Sequence, residues 1–148
     1  MNLKERINLD LKDAMKSGDK VRLETIRSIR ALIIEFEKSG VGRELNQDDE
    51  VKMLSTAVKK RKDSIEQFRN AGREELAVKE ERELQIILSY LPIQLNQEEI
   101  IAEVRRIANE INAKSKEDFP KLMPLVMKEL KGRADGKIVK SIVENFLN

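Results

Sequence analysis

The residues best placed to bind an anion lie in one short stretch near the end of the chain, KGRADGK, residues 131 to 137. Gly132 is placed to end a preceding helix in left-handed geometry, and Asp135 is placed to cap the next helix. The backbone N–H groups of Gly136 and Lys137 would then lie at a helix N-terminus, which is a common anion-binding arrangement. The chemistry predicted for this stretch is phosphate binding.

The charge around this stretch favours the same interpretation. Between residues 128 and 140, five basic side chains accompany only two acidic ones. The basic residues are Lys128, Lys131, Arg133, Lys137 and Lys140. The alternative interpretation is a turn between two helices. Capping would then account for the glycine and the aspartate, but it would leave these cations unexplained.

A second charged pair stands among apolar positions. Arg61 lies three residues after Val58, and Glu80 lies four residues after Leu76, so each charge falls on the apolar stripe of its helix. If the two helices fold back on each other, the two charges lie at similar positions along the helix pair. We favour a structural ion pair between Arg61 and Glu80, with a phosphate or carboxylate held by Arg61 as the alternative. The acidic run 80–83 is otherwise predicted to be a solvated helix face.

Composition limits the catalytic chemistry that the chain can offer. Its 148 residues include neither Cys nor His, so the thiolate nucleophile and the commonest general base and metal ligand are absent. No nucleotide-binding loop occurs either. We therefore predict no catalytic residue, no metal site and no cofactor.

Charge and hydropathy narrow the class of protein further. The 29 basic and 27 acidic residues leave a net charge of +2, so nucleic-acid binding would have to come from a local patch. No signal peptide and no membrane-spanning apolar run is evident. The sequence predicts a cytoplasmic protein without a membrane partner.

The elements that carry these residues are predicted to be helices throughout. Apolar residues recur at helical spacing between clusters of glycine and proline, and no alternating strand pattern appears. These positions are Leu3, Ile7, Leu11, Ala14; Ile26, Ile29, Ile33, Phe36; Val51, Leu54, Val58, Ile65, Phe68; Leu76, Leu84, Ile87, Leu91; Ile100, Val104, Ile107, Ile111; and Ile138, Val139, Ile142, Val143, Phe146. The predicted class is all-α, with an N-terminal helical bundle over residues 1–91 and an array of shorter helices over residues 92–148. Pro120 and Pro124 are expected to interrupt or kink the helix that carries them.

Three stretches together resemble the YqeY family: LKERINLDLKDAMKSGDKVRLETIRSIRALI at the start, RKDSIEQF, AGRE and YLP in the middle, and KGRADGKIVKSIV at the end. The resemblance covers essentially the whole chain. It implies the two-part helical architecture of the C-terminal helical and tail domains of GatB, a subunit of the tRNA-dependent amidotransferase.

The resemblance implies a tRNA-binding accessory module that acts in tRNA-dependent amidation or aminoacylation and is noncatalytic on its own. The resemblance transfers this role to Lys131, Gly132, Arg133, Asp135, Gly136 and Lys137. The positive charge of the surrounding residues adds Lys140 to the predicted binding site. The expected partners are tRNA and an amidotransferase or aminoacyl-tRNA synthetase. Two alternatives stay open: a component of a carbon–nitrogen ligase that uses glutamine as amido-N donor, and a protein-interaction module docking on a tRNA enzyme.

Overall fold

The computed structural model describes the whole chain, Met1–Asn148, and it consists of helices and their connections. Seven α-helices occur: α1 (Leu3–Ser17), α2 (Lys20–Lys38), α3 (Gln47–Asn70), α4 (Glu74–Leu88), α5 (Gln97–Ile111), α6 (Phe119–Glu129) and α7 (Gly136–Phe146). A short 3-10 helix, Lys116–Asp118, precedes α6. The prediction of an all-α protein is confirmed.

Short polar side chains cap the N-termini of three helices by hydrogen bonds to their first turns. The Asp19 carboxylate accepts from the Arg22 N–H at 3.1 Å. Asn46 and Asn96 each complete a reciprocal capping box, with Asp49 and Glu99 respectively. Because each side chain satisfies a donor that the helix itself cannot, these short polar motifs fix where α2, α3 and α5 begin.

The chain divides into two compact units, Met1–Leu91 and Pro92–Asn148. In the first unit α2 packs against α1 and α4, and α3 packs mainly against α4. Its core contains most of the apolar positions at helical spacing, including the fully buried Ile7, Ile26, Ile29 and Ile87.

One predicted core position of the first unit is wrong. Leu76 is 38% exposed, and the neighbouring Ala77 is completely buried instead. Leu76 lies in the first turn of α4, where a rotation of one residue decides which side chain faces the other helices. Periodicity gives the width of an apolar stripe but does not fix its centre to one residue.

The second unit builds its own core from α5, α6 and α7, which pack against one another. Val104, Leu122, Val126 and Val143 are completely buried there. The predictions for Ile111 and Ile138 are wrong, since these side chains are 37% and 47% exposed. Ile111 is the last residue of α5, and Ile138 lies in the first turn of α7, directly before the buried Val139.

The expected interruption of α6 does not occur, because the helix is continuous from Phe119 to Glu129. Pro120 lies in the first turn, where its missing N–H has no helical acceptor. Pro124 removes only the bond to the carbonyl of Pro120. Pro120 thus costs no helical hydrogen bond and Pro124, in the interior of the helix, costs one, and α6 continues past both. No helix of the chain is long and apolar enough to cross a membrane.

Candidate nucleic-acid interface

The stretch 131–137 forms the connection between α6 and α7. Gly132 adopts φ +75°, the left-handed geometry that ends a helix and that glycine adopts without steric cost. The Arg133 N–H donates to the Leu130 carbonyl at 2.9 Å, which closes the turn, and the Leu130 side chain is buried. The backbone of this connection is thus set by Gly132 and by an apolar anchor before it.

The connection is also bound to the segment 92–95, which sequence reasoning missed. The Leu95 N–H donates to the Arg133 carbonyl at 2.8 Å. The Gln94 side-chain amide donates to the Gly132 carbonyl at 2.6 Å. These bonds join positions almost forty residues apart in the chain, and neither Gln94 nor Leu95 carries a pattern that would have indicated them.

Arg133 contributes to this attachment with its own side chain. It is half-buried, and its Nε donates to the Ile93 carbonyl at 3.3 Å. A guanidinium has five N–H donors, so this contact leaves the Nη groups able to meet a phosphate. Arg133 therefore supports the connection and can still bind an anion.

The lysines of the predicted site lie on its outer side. Lys131, Lys137 and Lys140 are all exposed. Lys140 is 3.9 Å from Glu144, one turn along α7, and both side chains are more than half exposed. Such a surface pair contributes little free energy, so a phosphate can compete for the ammonium group.

The predicted backbone anion site at the start of α7 needs a correction. The Lys137 N–H is already donated to the Asp135 carboxylate at 2.8 Å. Because Asp135 caps the helix, its own negative charge occupies the position that a phosphate oxygen would take. Gly136 and Lys137 therefore do not offer the pair of backbone donors that the sequence suggested, and the side chains carry the positive charge of this surface.

In the first unit, Arg61 lies between two glutamates of α4. Its Nε is 3.4 Å from Glu80 Oε2 and 3.2 Å from Glu83 Oε2. Burial raises the pKa of Glu80, and the negative charge of Glu83 raises it further, whereas Arg61 lowers it. The prediction that the run 80–83 is a solvated face is wrong for Glu83, which is only 9% exposed. Its spacing of three residues from Glu80 was the signal for a shared helix face.

The class of protein defined by these features is a two-unit helical protein with an exposed basic connection in its second unit. A family model described as Yqey-like protein matches residues 4–147. The chain belongs to the YqeY family, as its motifs indicated.

Several curated relatives carry the name "Altered inheritance of mitochondria protein 41, mitochondrial". The protein of this name from Pyrenophora tritici-repentis is 36% identical over 145 residues, which cover 96% of this chain and 79% of the relative. The one from Vanderwaltozyma polyspora is 32% identical over 148 residues, covering 94% and 79%. The one from Saccharomyces cerevisiae (strain YJM789) is 30% identical over 131 residues, covering 86% and 68%.

These names overturn the predicted location. The expectation of a cytoplasmic protein is wrong, because the relatives are named as mitochondrial proteins. The expectation rested on the lack of an export signal and of a membrane span. Neither feature distinguishes the cytosol from another aqueous compartment.

Proposed function

We propose that this protein is a tRNA-binding accessory module whose exposed basic connection, residues 131–137 with Lys140, binds phosphates of folded RNA. The observation that carries the proposal is the fixed geometry of this connection. Its backbone is bound to segment 92–95 at Gly132 and Arg133, while Lys131, Lys137 and Lys140 are exposed. Cations presented from an ordered backbone lose less conformational entropy on binding than cations on a flexible tail.

The composition of the chain supports folded RNA over single strands as the ligand. Folded RNA is recognised largely by shape and by backbone contacts, which require cations in a fixed arrangement. Single-strand binding relies on aromatic side chains that stack on bases. The chain has no Trp and only one Tyr, and that Tyr90 lies in the first unit and is half-buried.

The test is tRNA binding by the double variant Lys131→Gln/Lys137→Gln, followed by fluorescence anisotropy over a range of salt concentrations. Each lost phosphate contact is expected to reduce the slope of log K against log salt by about 0.7–0.9. We expect a slope lower by about 1.5 and an affinity about tenfold weaker at low salt. Duplex DNA of similar length serves as competitor for the wild-type protein.

Lys114→Gln is the matched control for this experiment. Lys114 is an exposed lysine of the same unit, but it lies before the start of α6 whereas the basic connection follows its end. Its loss should leave the affinity and the salt slope unchanged. Equal binding of tRNA by the wild-type protein and the double variant would refute the proposed role of the connection.

A second candidate is docking on a tRNA enzyme, an amidotransferase or an aminoacyl-tRNA synthetase. It is favoured by apolar side chains of the second unit that remain accessible: Leu125 is 41%, Met127 39% and Ile138 47% exposed. Co-purification with such an enzyme after nuclease treatment, abolished by Ile138→Asp, would support docking. Loss of the complex on nuclease treatment would instead assign the association to bridging RNA.

A further inference from the structure

A groove lies between α2 and α3 in the first unit. These helices pack against α1 and α4 rather than closely against each other. The space left between them has a volume of about 540 Å³. This volume lies within the range of roughly 300–1,000 Å³ that is common for small-molecule sites.

The floor of the groove is apolar. Leu32 and Phe36 of α2 face Met53 and Ala57 of α3 along its length. Three of these side chains, Leu32, Phe36 and Met53, are only half-buried. Leu32 and Met53 also pack against the core of the unit. An apolar ligand group lying on them would remove this surface from water, at roughly 25 cal/mol per Å².

The rim of the groove is positively charged. Four cations line it, and the only acidic side chain among the lining residues is Asp49. Asp49 is already bound by Arg43, and Arg61 is paired with glutamates of α4. Lys52 and Lys60 are exposed and form no salt bridge, so a ligand can reach both, although the charge of Lys52 also helps to lower the pKa of Asp49.

The connection between α2 and α3 bounds one end of the groove. Arg43 belongs to this connection, and its guanidinium lies 5.5 Å from the centre of the Phe36 ring. A bounded groove with an apolar floor fits a short chain better than a partner helix, which is about 10 Å wide and continues past both ends.

We propose that this groove binds a small anionic amphiphile, with its apolar chain on Leu32, Phe36 and Met53 and its carboxylate or phosphate head at Lys52 or Lys60. The two lysines are eight residues apart on α3, about 12 Å along the helix. Ser28 and Thr56 also line the groove, but their hydroxyls donate to the backbone carbonyls of Thr25 and Lys52. The head group is therefore bound by charge rather than by hydroxyl donors.

The experiment titrates the ¹⁵N-labelled full-length protein with four probes and follows backbone amide shifts. Decanoate and decyl phosphate, below their micellar concentrations, carry both chain and charge. Decanol carries only the chain, and acetate carries only a charge. We expect saturable shifts confined to residues that line the groove for the first two probes. Decanol, which lacks the charge, should bind up to about fivefold more weakly than decanoate, and acetate, which lacks the chain, at least about tenfold more weakly. Whichever of decanoate and decyl phosphate binds more tightly shows whether the preferred head group is a carboxylate or a phosphate.

The variant Lys52→Gln/Lys60→Gln tests the proposed head-group contacts. An exposed ion pair is worth up to about fivefold in affinity. Because the double variant removes the lysine at either position, it should bind decanoate up to about fivefold more weakly. Lys59→Gln/Lys62→Gln is its control, because these exposed lysines lie on the same helix but do not line the groove. Helical circular dichroism of each variant confirms that it is folded.

Several results would overturn the proposal. Shifts spread over both units, or equal affinity for decanoate and acetate, would exclude an amphiphile site in this groove. Equal losses of decanoate affinity in the test and control variants would also exclude it. If the amphiphiles fail and an acidic amphipathic peptide shifts the same amides, the groove is a protein-docking surface instead.

Discussion

At the scale of single residues, the cluster of Arg61, Glu80 and Glu83 shows how one cation is shared between a half-buried and a buried carboxyl group. The Arg61 Nε is buried and lies close to both carboxylates, but it makes no well-oriented hydrogen bond to either. One positive charge does not balance two negative ones where water is scarce. The cluster joins α3 to α4, and we expect its excess negative charge to oppose folding.

Glu80→Gln should therefore stabilise the first unit at neutral pH. The pKa of Glu80 is raised above its ordinary value of 4.5, mainly by burial and by Glu83, so folding favours its protonated form. This contribution to stability is present at low pH and is lost as the pH rises through the raised pKa. The amide replaces the protonated carboxyl, so we expect a gain of up to about 1 kcal/mol at pH 7.5 and none near pH 4.

Urea unfolding at the two pH values, followed by the fluorescence of Tyr90, measures this difference. Tyr90 is the only tyrosine, there is no Trp, and its hydroxyl donates to Asp10 within the first unit. Glu66→Gln is the control, because Glu66 is exposed on α3. A destabilised Glu80→Gln variant at pH 7.5 would mean that the attraction to Arg61 outweighs burial and repulsion.

At the scale of helices, the termination of α6 determines where the basic connection lies. Gly132 holds φ +75°, and its carbonyl accepts from Gln94. A side chain at this position would be strained in the left-handed region. Gly132→Ala should therefore lower the free energy of unfolding of the second unit by about 1 kcal/mol. It should also weaken tRNA binding, because the lysines on either side lose their fixed spacing.

The control for this prediction is Gly40→Ala. Gly40 has a similar φ of +81° but lies in the connection after α2, in the first unit. It should show a similar loss of stability and unchanged tRNA affinity. Equal loss of affinity in the two alanine variants would attribute the effect to general destabilisation.

Local signals in the sequence were sufficient for the helices and their caps. Ile26, Ile29 and Ile33 repeat at helical spacing, and all three are buried. The exposure of Leu76 and Ile138 depends on how a first turn rotates against neighbouring helices, which is a tertiary property. The contacts of Gln94 and Leu95 with the basic connection are likewise long-range, and they involve backbone carbonyls that every residue type carries. No residue pattern encodes such acceptors.

At the scale of the whole molecule, the apolar residues divide between two cores along the chain. One core draws only on residues up to Leu91, and the other begins at Leu95. The proposed amphiphile groove lies within the first unit and the proposed RNA surface within the second. The two proposals can therefore fail independently.

This division predicts that the two units unfold in separate steps. Below about 70–80 residues, a single core rarely supplies more than about 3–5 kcal/mol, and Pro92–Asn148 is shorter than that. We expect urea to unfold the second unit first, so part of the far-ultraviolet circular dichroism is lost before the Tyr90 fluorescence changes. Val104→Ala, which truncates a completely buried side chain of the second unit, should move only the earlier transition to lower urea. Coincident transitions that shift together in this variant would show instead that the two cores unfold as one cooperative unit.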